Sequence, residues 1–386
     1  MSFLISLQYY GVLIMSLISA VIATSNSFSL KKLIIPRTQL EEKMLISVLI
    51  PARNEEDKIV SCLQSLICQT YVNLEIIVLN DNSSDATAQS VHQFAKNDIR
   101  VRLINGEELP LGWGGKNWAC HQLCIASSGD YILFLDADTI FEENTIESAV
   151  QESVDNDVDL LTLIPKRSSS TILEKAMFPF MNWAIFSWLP MKIAHSLNNS
   201  YLSATFGQFM LFKKDAYIKI GGHKKLRDNA IDDFQLGRFI KKSRLKWMLL
   251  DGTDMVESLP YTNKRDAMNG ISRSVFPALN YSVTTLLGFS IILICITFIP
   301  LITVGYGLMG TFTDSEYWTI SAFSLFVITI SWTLTCRRFN YSLLVVLFFP
   351  ICVLVMLVVA YHSMLATIFK TTVWKGRNLS NKKLRF

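Results

Sequence analysis

Two carboxylates one residue apart follow a short apolar run in FLDADT, residues 134–139. Asp136 and Asp138 come directly after YILFL, which has the composition of a buried strand. Neighbouring carboxylates repel each other, and burying an unpaired carboxylate is costly. Hard cations such as Mg²⁺ or Mn²⁺ take carboxylate oxygens as ligands, so the pair is a candidate metal site at a strand end. The tripeptide alone leaves a solvated acidic turn as the alternative.

Three other polar segments lie next to predicted strands or helices. In NDNSSD, Asp81 follows LEIIVL and is suited to accept the ring N–H of a pyrimidine base or to cap the next helix. In PARNEE, Arg53 and Glu55 are suited to hold a ribose or a base, or to pair with each other. In LGWGGKNWA, Lys116 follows two glycines before a helix, where backbone N–H groups and a cation suit a diphosphate. The Walker pattern GxxxxGK[ST] is absent from this segment.

The elements around these segments alternate along the chain. Short apolar runs, namely VLI before Pro51, LEIIVL, RVRLING and YILFL, are separated by segments of helical character. Strands alternating with helices predict an α/β fold with a parallel sheet, whose ligands bind at the carboxyl ends of the strands. PARNEE, NDNSSD and DAD all fall at such ends, so we expect their side chains to lie close together.

The composition is too apolar for a typical soluble enzyme. Of 386 residues, 51% are hydrophobic and only 18% are charged, and the mean hydropathy is +0.33. Residues 3–24 carry no charge and are long enough to span about 30 Å of hydrocarbon as a helix. Similar stretches lie near 283–308, 317–335 and 342–369. We predict a transmembrane anchor (1–27), a water-facing domain (45–270), a membrane region of about three spans (281–370) and a basic tail (371–386).

Positive charges predict which side of the membrane the domain faces. Lys31, Lys32 and Arg37 follow the first stretch, and positive residues mark the cytoplasmic side. The stretch lacks the basic segment and the cleavage site of a signal peptide, so we predict an uncleaved anchor in the cell membrane and a cytosolic domain. A simple crossing by the fourth stretch, which contains Pro350, places the basic tail outside. A re-entrant hairpin or a further crossing remains open, and we favour a cytosolic tail.

Cysteine usage and charge argue against two kinds of site. The seven cysteines show no metal-ligand spacing, and an odd number in a cytosolic domain favours reduced thiols. The formal net charge of +4 comes largely from the membrane flanks and the tail, so we predict no nucleic-acid partner. His121 and His223 are expected to be structural residues and not ligands.

Taken together, these segments resemble the family 2 glycosyltransferases, inverting enzymes of the GT-A fold that use nucleotide-sugar donors. The similarity covers about residues 46–240 and consists of PARNEE, NDNSSD, GK, DAD, GGH and IDD in that order. LPLGWGGKNWACHQ, GGHKKLRDNAIDDFQLG and a terminal WKGR resemble the membrane-bound branch that includes hopanoid-associated and diaponeurosporenoate glycosyltransferases. The resemblance implies a UDP-sugar donor, Mg²⁺ or Mn²⁺, and an isoprenoid-derived lipid acceptor.

The resemblance also implies roles for individual residues. Asp138 matches the metal-binding carboxylate of the family's DXD element, and Asp136 matches the carboxylate nearer the donor ribose and sugar. Asp81 matches the acid that contacts uracil, with Ala52 and Glu55 lining the same pocket. Lys116 matches the lysine near the donor phosphates. Asp233 matches the catalytic base, but the family's Glu–Asp pair is Asp232–Asp233 here, so both acids remain candidates.

Two further segments bear on the acceptor. Processive members of the family carry Q-x-x-R-W, where this chain has GISRSVF, with Arg273 but neither Gln nor Trp. This departure favours one sugar per acceptor. Residues 176–190, AMFPFMNWAIFSWLP, are too short to cross a bilayer. They predict either a helix in the membrane interface beside the active site or an apolar segment packed on the sheet.

The sequence leaves two other functions open. A polyprenyl-phosphate glycosyltransferase has the same fold and needs basic residues at the membrane surface, for which Lys241, Lys242 and Arg244 are candidates. A non-catalytic nucleotide-binding or lipid-transport subunit is the third interpretation. The acids of DAD and IDD argue against it, because a protein that only binds has no use for a base.

Overall fold

The computed structural model describes residues 2–36, 44–311, 314–371, 373–375, 377–378 and 384–385. Arg37, one of the predicted orientation signals, lies outside these ranges, as do Lys382 and Lys383 of the basic tail. Within the described ranges, an α/β domain lies between one N-terminal helix and a C-terminal group of helices.

A seven-stranded mixed sheet forms the centre of the domain. The strands in the described ranges are β1 (Ile46–Ala52), β2 (Leu74–Asn80), β3 (Val101–Asn105), β4 (Tyr131–Phe134), β5 (Thr139–Phe141), β6 (Leu160–Ile164), β7 (Lys166–Arg167), β8 (Met210–Lys213), β9 (Trp247–Asp251), β10 (Val256–Ser258), β11 (Val373–Trp374) and β12 (Arg377–Asn378). The order in the large sheet is β3-β2-β1-β4-β8-β6-β9. The pairs among β1 to β4 are parallel, as predicted, whereas β8 runs antiparallel to both of its neighbours.

Two small sheets complete the strand pairing. β10 lies between β5, to which it is antiparallel, and β7, to which it is parallel. β5 begins directly after the DAD segment, so this small sheet fixes the far end of that loop. β11 and β12 form an antiparallel hairpin near the end of the chain.

Helices cover both faces of the large sheet and extend beyond it. They are α1 (Ser2–Ser29), α2 (Glu56–Ile67), α3 (Thr87–Asn97), α4 (Gly115–Ala126), α5 (Thr145–Asp155), α6 (Ile172–Trp188), α7 (Met191–Ser196), α8 (Lys214–Ile220), α9 (Gly222–Leu226), α10 (Asp232–Lys242), α11 (Lys264–Ala278), α12 (Val283–Leu308), α13 (Ser315–Arg338) and α14 (Leu344–Ile368). The β1 residues Val48 and Ile50 belong to the core beneath α2, whereas Leu49 belongs to the core beneath α4. Both faces of the strand are therefore buried, as is usual for parallel strands.

Pro51 corrects one predicted boundary. We expected the first strand to break at this proline, but β1 continues to Ala52, with Pro51 paired in register with Leu79. The Leu49 carbonyl accepts a hydrogen bond from the Leu135 N–H on the β4 side, at 3.1 Å. Backbone groups alternate along a strand, so Pro51 faces the same side at a point where β4 has ended. The missing N–H therefore leaves no partner unsatisfied.

In the part of the chain that the structure describes, four helices are long and apolar enough to cross a membrane, namely α1, α12, α13 and α14. At one end of this group, Arg338 forms an ion pair with Asp251 of the domain, at 2.7 Å, and donates to the Leu30 carbonyl. At the other end, Tyr10 donates to Glu316 at 2.7 Å. The start of α1 therefore lies beside the α12–α13 connection, at the end of the group away from the domain.

The segment predicted as an interfacial element is helical. α6 begins at Ile172, four residues before the predicted start, and a capping box between Thr171 and Glu174 fixes this first turn. One side of the helix packs on the long helices, where the Trp183 ring stacks on Trp332 at 4.8 Å between ring centroids. The helix therefore lies between the domain and the apolar helices.

Both ends of α14 lie close to the domain. Near its start, the Tyr341 hydroxyl accepts from the Asn182 amide of α6 at 3.0 Å. Near its end, Ser363 donates to the Ser272 carbonyl of α11 and accepts from the Phe276 N–H. α14 therefore packs along α6 and α11, and the chain that follows it returns to the sheet.

Candidate active site

The predicted site residues converge where three parallel strands end. Ala52 ends β1, Asp81 follows β2, and Asp136 lies two residues after β4. The Asp81 N–H donates to the Ala52 carbonyl at 2.8 Å, which ties the first two loops together. The structure thus brings together residues that are far apart in sequence because parallel strands end at the same edge.

Arg53 connects these loops through hydrogen bonds, and its guanidinium does not pair with Glu55. Its Nη1 donates to the backbone carbonyls of Asp81, at 2.6 Å, and Asn82, at 3.0 Å. The Glu55 carboxylate instead lies 3.0 Å from the Lys375 ammonium. Burial raises the pKa of Glu55, and Lys375 opposes that rise.

Two basic residues of the tail complete this part of the site, and no sequence pattern predicted their position here. The Arg377 guanidinium donates to the Asp81 carboxylate at 2.6 Å. Lys375 donates to the Asn54 carbonyl at 2.7 Å, and its own carbonyl accepts from Arg53 at 3.1 Å. The WKGR motif was the only available signal, and it carried no information on position.

Lys116 forms the centre of a partly buried charge network. Its ammonium lies 2.8 Å from Asp136 and 3.6 Å from Asp232, and although burial opposes it, these carboxylates raise the pKa of the lysine. The Gly114 N–H already donates to the Arg227 carbonyl at 2.7 Å. The diphosphate role predicted for this loop therefore depends on the Lys116 charge more than on the Gly114 N–H.

His223 is structural, as expected, and it positions Asp232. The Tyr217 hydroxyl accepts from the His223 N–H at 2.9 Å and lies 2.7 Å from Nδ1, so we assign the hydroxyl proton to that bond. Nε2 then carries the ring proton and donates to Asp232 at 3.4 Å. Burial alone would raise the pKa of Asp232, but Lys116 and His223 hold it well below its usual range.

Asp233 differs from its neighbour in environment. Its carboxylate accepts from the Phe234 N–H at 2.8 Å and from the Gly207 N–H at 3.3 Å. Desolvation and the charge of Asp232 raise the pKa of Asp233 to about 7. A base whose pKa lies near neutral pH is suited to accept a proton from substrate, whereas Asp232 is committed to its ion pairs.

Gly207 shows that the donor-side and base-side groups line one small space. A Cβ at this position would lie 3.3 Å from both the Asp136 carboxylate and the Lys116 ammonium, and 3.7 Å from the Asp233 carboxylate. A side chain at residue 207 would therefore crowd all three groups. This glycine could not be predicted as a site residue, because nothing in GQF distinguishes it from a turn residue.

The carboxylate of Asp138 is suited to bind a metal ion. Its Oδ1 atom is buried and has no hydrogen-bond partner in the described ranges, and its Oδ2 atom lies 3.7 Å from the Lys58 ammonium. Burial and the neighbouring Asp136 raise the pKa of Asp138. An orphaned buried carboxylate oxygen fits a divalent cation as partner. The described residues contain no group of three acidic, His or Cys side chains around it, so a cation here needs further oxygen ligands from a substrate or water.

The basic cluster considered for a polyprenyl-phosphate acceptor does not form one exposed patch. Lys241 is buried and donates to the carbonyls of Ala194 and Leu197, so its ammonium is already bound. Burial lowers the pKa of Lys241 to about 8.

All seven cysteines are free, in line with the expectation of reduced thiols.

Comparisons with known proteins agree with this fold. Residues 47–221 match the family model described as Glycosyl transferase family 2. Two curated relatives are 4,4'-diaponeurosporenoate glycosyltransferases of Staphylococcus aureus. The one from strain bovine RF122 / ET3-1 is 28% identical over 236 residues, and the one from strain USA300 is 29% identical over 231 residues. The matches cover 58% and 57% of this chain but only 60% and 59% of the two relatives.

A solved structure shares the fold over most of the chain. The mannosyltransferase PcManGT from Pyrobaculum calidifontis, in complex with GDP-Man and Mn²⁺, has a TM-score of 0.55 and 14% sequence identity. The similarity covers 93% of this chain and 96% of that chain. At this identity it shows the fold alone. Together, the comparisons show an α/β domain that matches the Glycosyl transferase family 2 model over residues 47–221 and shares the fold of this mannosyltransferase, between helices long and apolar enough to span a membrane.

Proposed function

We propose that this protein transfers a single sugar from a UDP-sugar to a membrane-embedded isoprenoid lipid, with inversion at the anomeric carbon. The observation that carries the proposal is the arrangement around Gly207. Asp136 and Lys116 on the donor side and Asp233 on the other lie within van der Waals reach of one point. A site of this kind has both a place for a donor and a base for an acceptor.

The donor binds at the ends of β1, β2 and β4 in this proposal. Asp81 accepts the ring N–H of the uracil base, Ala52 and Glu55 line the same pocket, and Lys116 faces the phosphates. Asp138 would hold Mg²⁺ or Mn²⁺ through its orphaned carboxylate oxygen. The cation, when bound, stabilises the negative charge that develops on the leaving diphosphate.

Asp233 then acts on the acceptor. Its carboxylate takes the proton of an acceptor hydroxyl while the acceptor oxygen bonds to the anomeric carbon and the sugar–phosphate bond breaks. Asp232 stays paired with Lys116 and His223 and keeps the network in place. Where the acceptor is a carboxylate, its oxygen attacks without loss of a proton, and Asp233 only orients it. The names of the two relatives make a carotenoid carboxylate the first acceptor to test.

α6 provides the route by which a lipid reaches this site. The Arg167 guanidinium lies over the ring of Phe178 on α6 and over the ring of Phe206, which precedes Gly207. Phe178 also belongs to an apolar cluster with Ile271 of α11 and Val359 of α14. Packed side chains thus connect the long helices to the edge of the site, with the Arg167 guanidinium against both phenylalanine rings, which supports a lipid acceptor and an interfacial α6.

The topology proposed with this route has the domain in the cytosol and α14 packed along the membrane interface without crossing it. A crossing would separate the tail from the domain, but Arg377 contacts Asp81. We expect Cys68, which is exposed on the domain, to resist a membrane-impermeant thiol reagent in intact cells and to react in inverted vesicles. In a Cys68→Ser background, Ser342→Cys and Phe369→Cys should behave as Cys68 does, and Met309→Cys should be labelled from outside. Labelling of Phe369→Cys from outside would mean that α14 crosses.

The proposal is tested first by nucleotide binding and release. UDP with Mn²⁺ should raise the unfolding temperature of the full-length protein in detergent, because a ligand that binds only the native state stabilises it. A UDP-sugar should then yield free UDP only when lipid extract is added. Stabilisation without UDP release from any sugar donor would favour the non-catalytic interpretation. The absence of both UDP stabilisation and UDP release would contradict the proposal.

The pH dependence of the reaction should report Asp233. A base works only when ionised, so with a hydroxyl acceptor kcat/KM should rise about tenfold per pH unit up to the raised pKa of about 7 and level off above it. Asp233→Asn should remove this rise, and Arg102→Gln, on the edge strand β3, should keep it. A flat profile from pH 5 to 7 in the wild-type protein would argue against Asp233 as the base.

A further inference from the structure

The tail returns to the donor pocket after the last long helix. Lys375 lies between β11 and β12 in sequence, and Arg377 begins β12. Their side-chain partners are Glu55, at 3.0 Å, and Asp81, at 2.6 Å. Both partners belong to the pocket in which the proposed donor places its base. The two cations therefore occupy the site and do not merely lie near it.

Stability alone does not account for these contacts. The strands of the hairpin are two residues long, and partly exposed ion pairs are worth about 0–1 kcal/mol. The Asp81 side chain is only 5% exposed and that of Arg377 is 21% exposed. A nearly buried carboxylate needs a partner, and the base N–H of a bound donor offers it another one.

The charge of the site changes when a nucleoside diphosphate enters. Lys116 is already shared by Asp136 and Asp232, and Lys58 lies beside Asp138. A diphosphate adds negative charge to a pocket in which those cations are engaged. With the donor bound, its base and ribose contact the carboxylates that pair with Arg377 and Lys375 in the absence of the donor. The two cations can then bind the phosphates.

We propose that Arg377 and Lys375 are donor-binding residues that exchange Asp81 and Glu55 for the diphosphate of the nucleotide donor. This inference rests on the proposed function, because it assumes that Asp81 and Glu55 receive the base and ribose. The planar guanidinium of Arg377 matches two phosphate oxygens at once, whereas Lys375 supplies a point charge. The tail thereby joins the C-terminal end of the membrane region to the donor site.

The competing interpretation is that the tail only blocks the pocket. The two interpretations predict opposite changes in UDP affinity for Arg377→Gln. Loss of a phosphate contact weakens the binding of UDP, whereas removal of a blocking group frees Asp81 and strengthens it. Uridine, which lacks the phosphates, should not lose affinity in either case.

The experiment compares UDP and uridine binding with Mn²⁺ by the full-length protein in detergent. We expect Arg377→Gln to weaken UDP binding about 10- to 100-fold, the range for loss of a hydrogen bond between charged groups, with uridine binding unchanged or tighter. Arg377→Lys should lie between, Lys375→Gln should show a smaller loss, and Asp81→Asn should weaken both ligands. Arg102→Gln is the matched control, since this exposed arginine also faces a carboxylate, that of Glu75. Thermal unfolding without nucleotide shows that each variant is folded.

Each outcome decides the inference. Equal or tighter UDP binding by Arg377→Gln, with normal binding by the wild-type protein, would overturn the role of the tail and leave the proposed function standing. A wild-type protein that binds no UDP with Mn²⁺ would overturn both. An equal loss of UDP and uridine affinity in Arg377→Gln would mean that the residue holds the pocket in shape and does not contact phosphate.

Discussion

Replacing Asp138 by alanine is expected to abolish sugar transfer and to remove the Mn²⁺ dependence of UDP binding. The Oδ1 atom of this residue is buried without a partner in the described ranges, and no described group of three ligands surrounds it. The substitution therefore removes the main protein ligand proposed for the cation. Isothermal titration of UDP with and without Mn²⁺, and transfer rates over a range of metal concentrations, measure the two effects.

The same residue gives a readout that does not depend on activity. Asp138→Asn keeps the shape of the side chain but removes a charge that is costly to bury, so the unliganded variant should unfold at the same temperature or a higher one. Asp155→Ala, an exposed aspartate at the end of α5, serves as the control and should leave transfer and metal dependence unchanged. Full activity of Asp138→Ala at several metal concentrations would rule out the metal assignment.

Asp233→Asn should lower the rate of transfer to a hydroxyl acceptor by about 10²–10⁴-fold while UDP binding survives. The amide keeps the size of the side chain and an acceptor for the Phe234 and Gly207 N–H groups, but it takes no proton. Initial rates at saturating donor, together with the UDP dissociation constant, separate loss of the base from loss of binding.

Asp232→Asn should affect the stability of the protein more than the rate of transfer. This residue pairs with Lys116 and His223 in a buried network, and removing one partner of such a pair destabilises a protein by about 3–5 kcal/mol. We therefore expect a larger drop in unfolding temperature than in Asp233→Asn and a smaller loss of rate in the folded fraction. The reverse ranking of rates would assign the base to Asp232. Near-normal rates in both variants and in the double variant would indicate an acceptor that is already ionised.

The proximity of the acids at the strand ends could be predicted from the sequence, because it depends on local rules. Asp81, Asp136 and Asp138 each follow an apolar strand, and parallel strands end at one edge, so their proximity could be deduced without a structure. Antiparallel β8 could not be deduced, because the apolar run in MLFK does not specify its direction. Gly207, in the loop before β8, reaches Asp136 and Asp233 only because of that direction.

The contacts of the tail could not be deduced for a different reason. Arg377 and Asp81 are separated by 296 positions, and hydropathy marks all four long helices of the described ranges as able to cross a membrane. Hydropathy reports length and composition, so it does not distinguish a helix that crosses a membrane from one that packs along it. The contacts of α14 with α6 and α11, and the position of Lys375 and Arg377, carry that information instead.

Mass spectrometry of lipids from cells with and without the gene tests directly whether the protein transfers one sugar to an isoprenoid lipid. We expect an isoprenoid lipid that carries one hexose and is present only when the gene is, with the unmodified acceptor accumulating in its absence. Cells that carry Asp233→Asn should match the deletion if the acceptor is an alcohol, and should retain product if it is a carboxylate. Identical lipid profiles with and without the gene, or a product with many sugars on one lipid, would contradict the account.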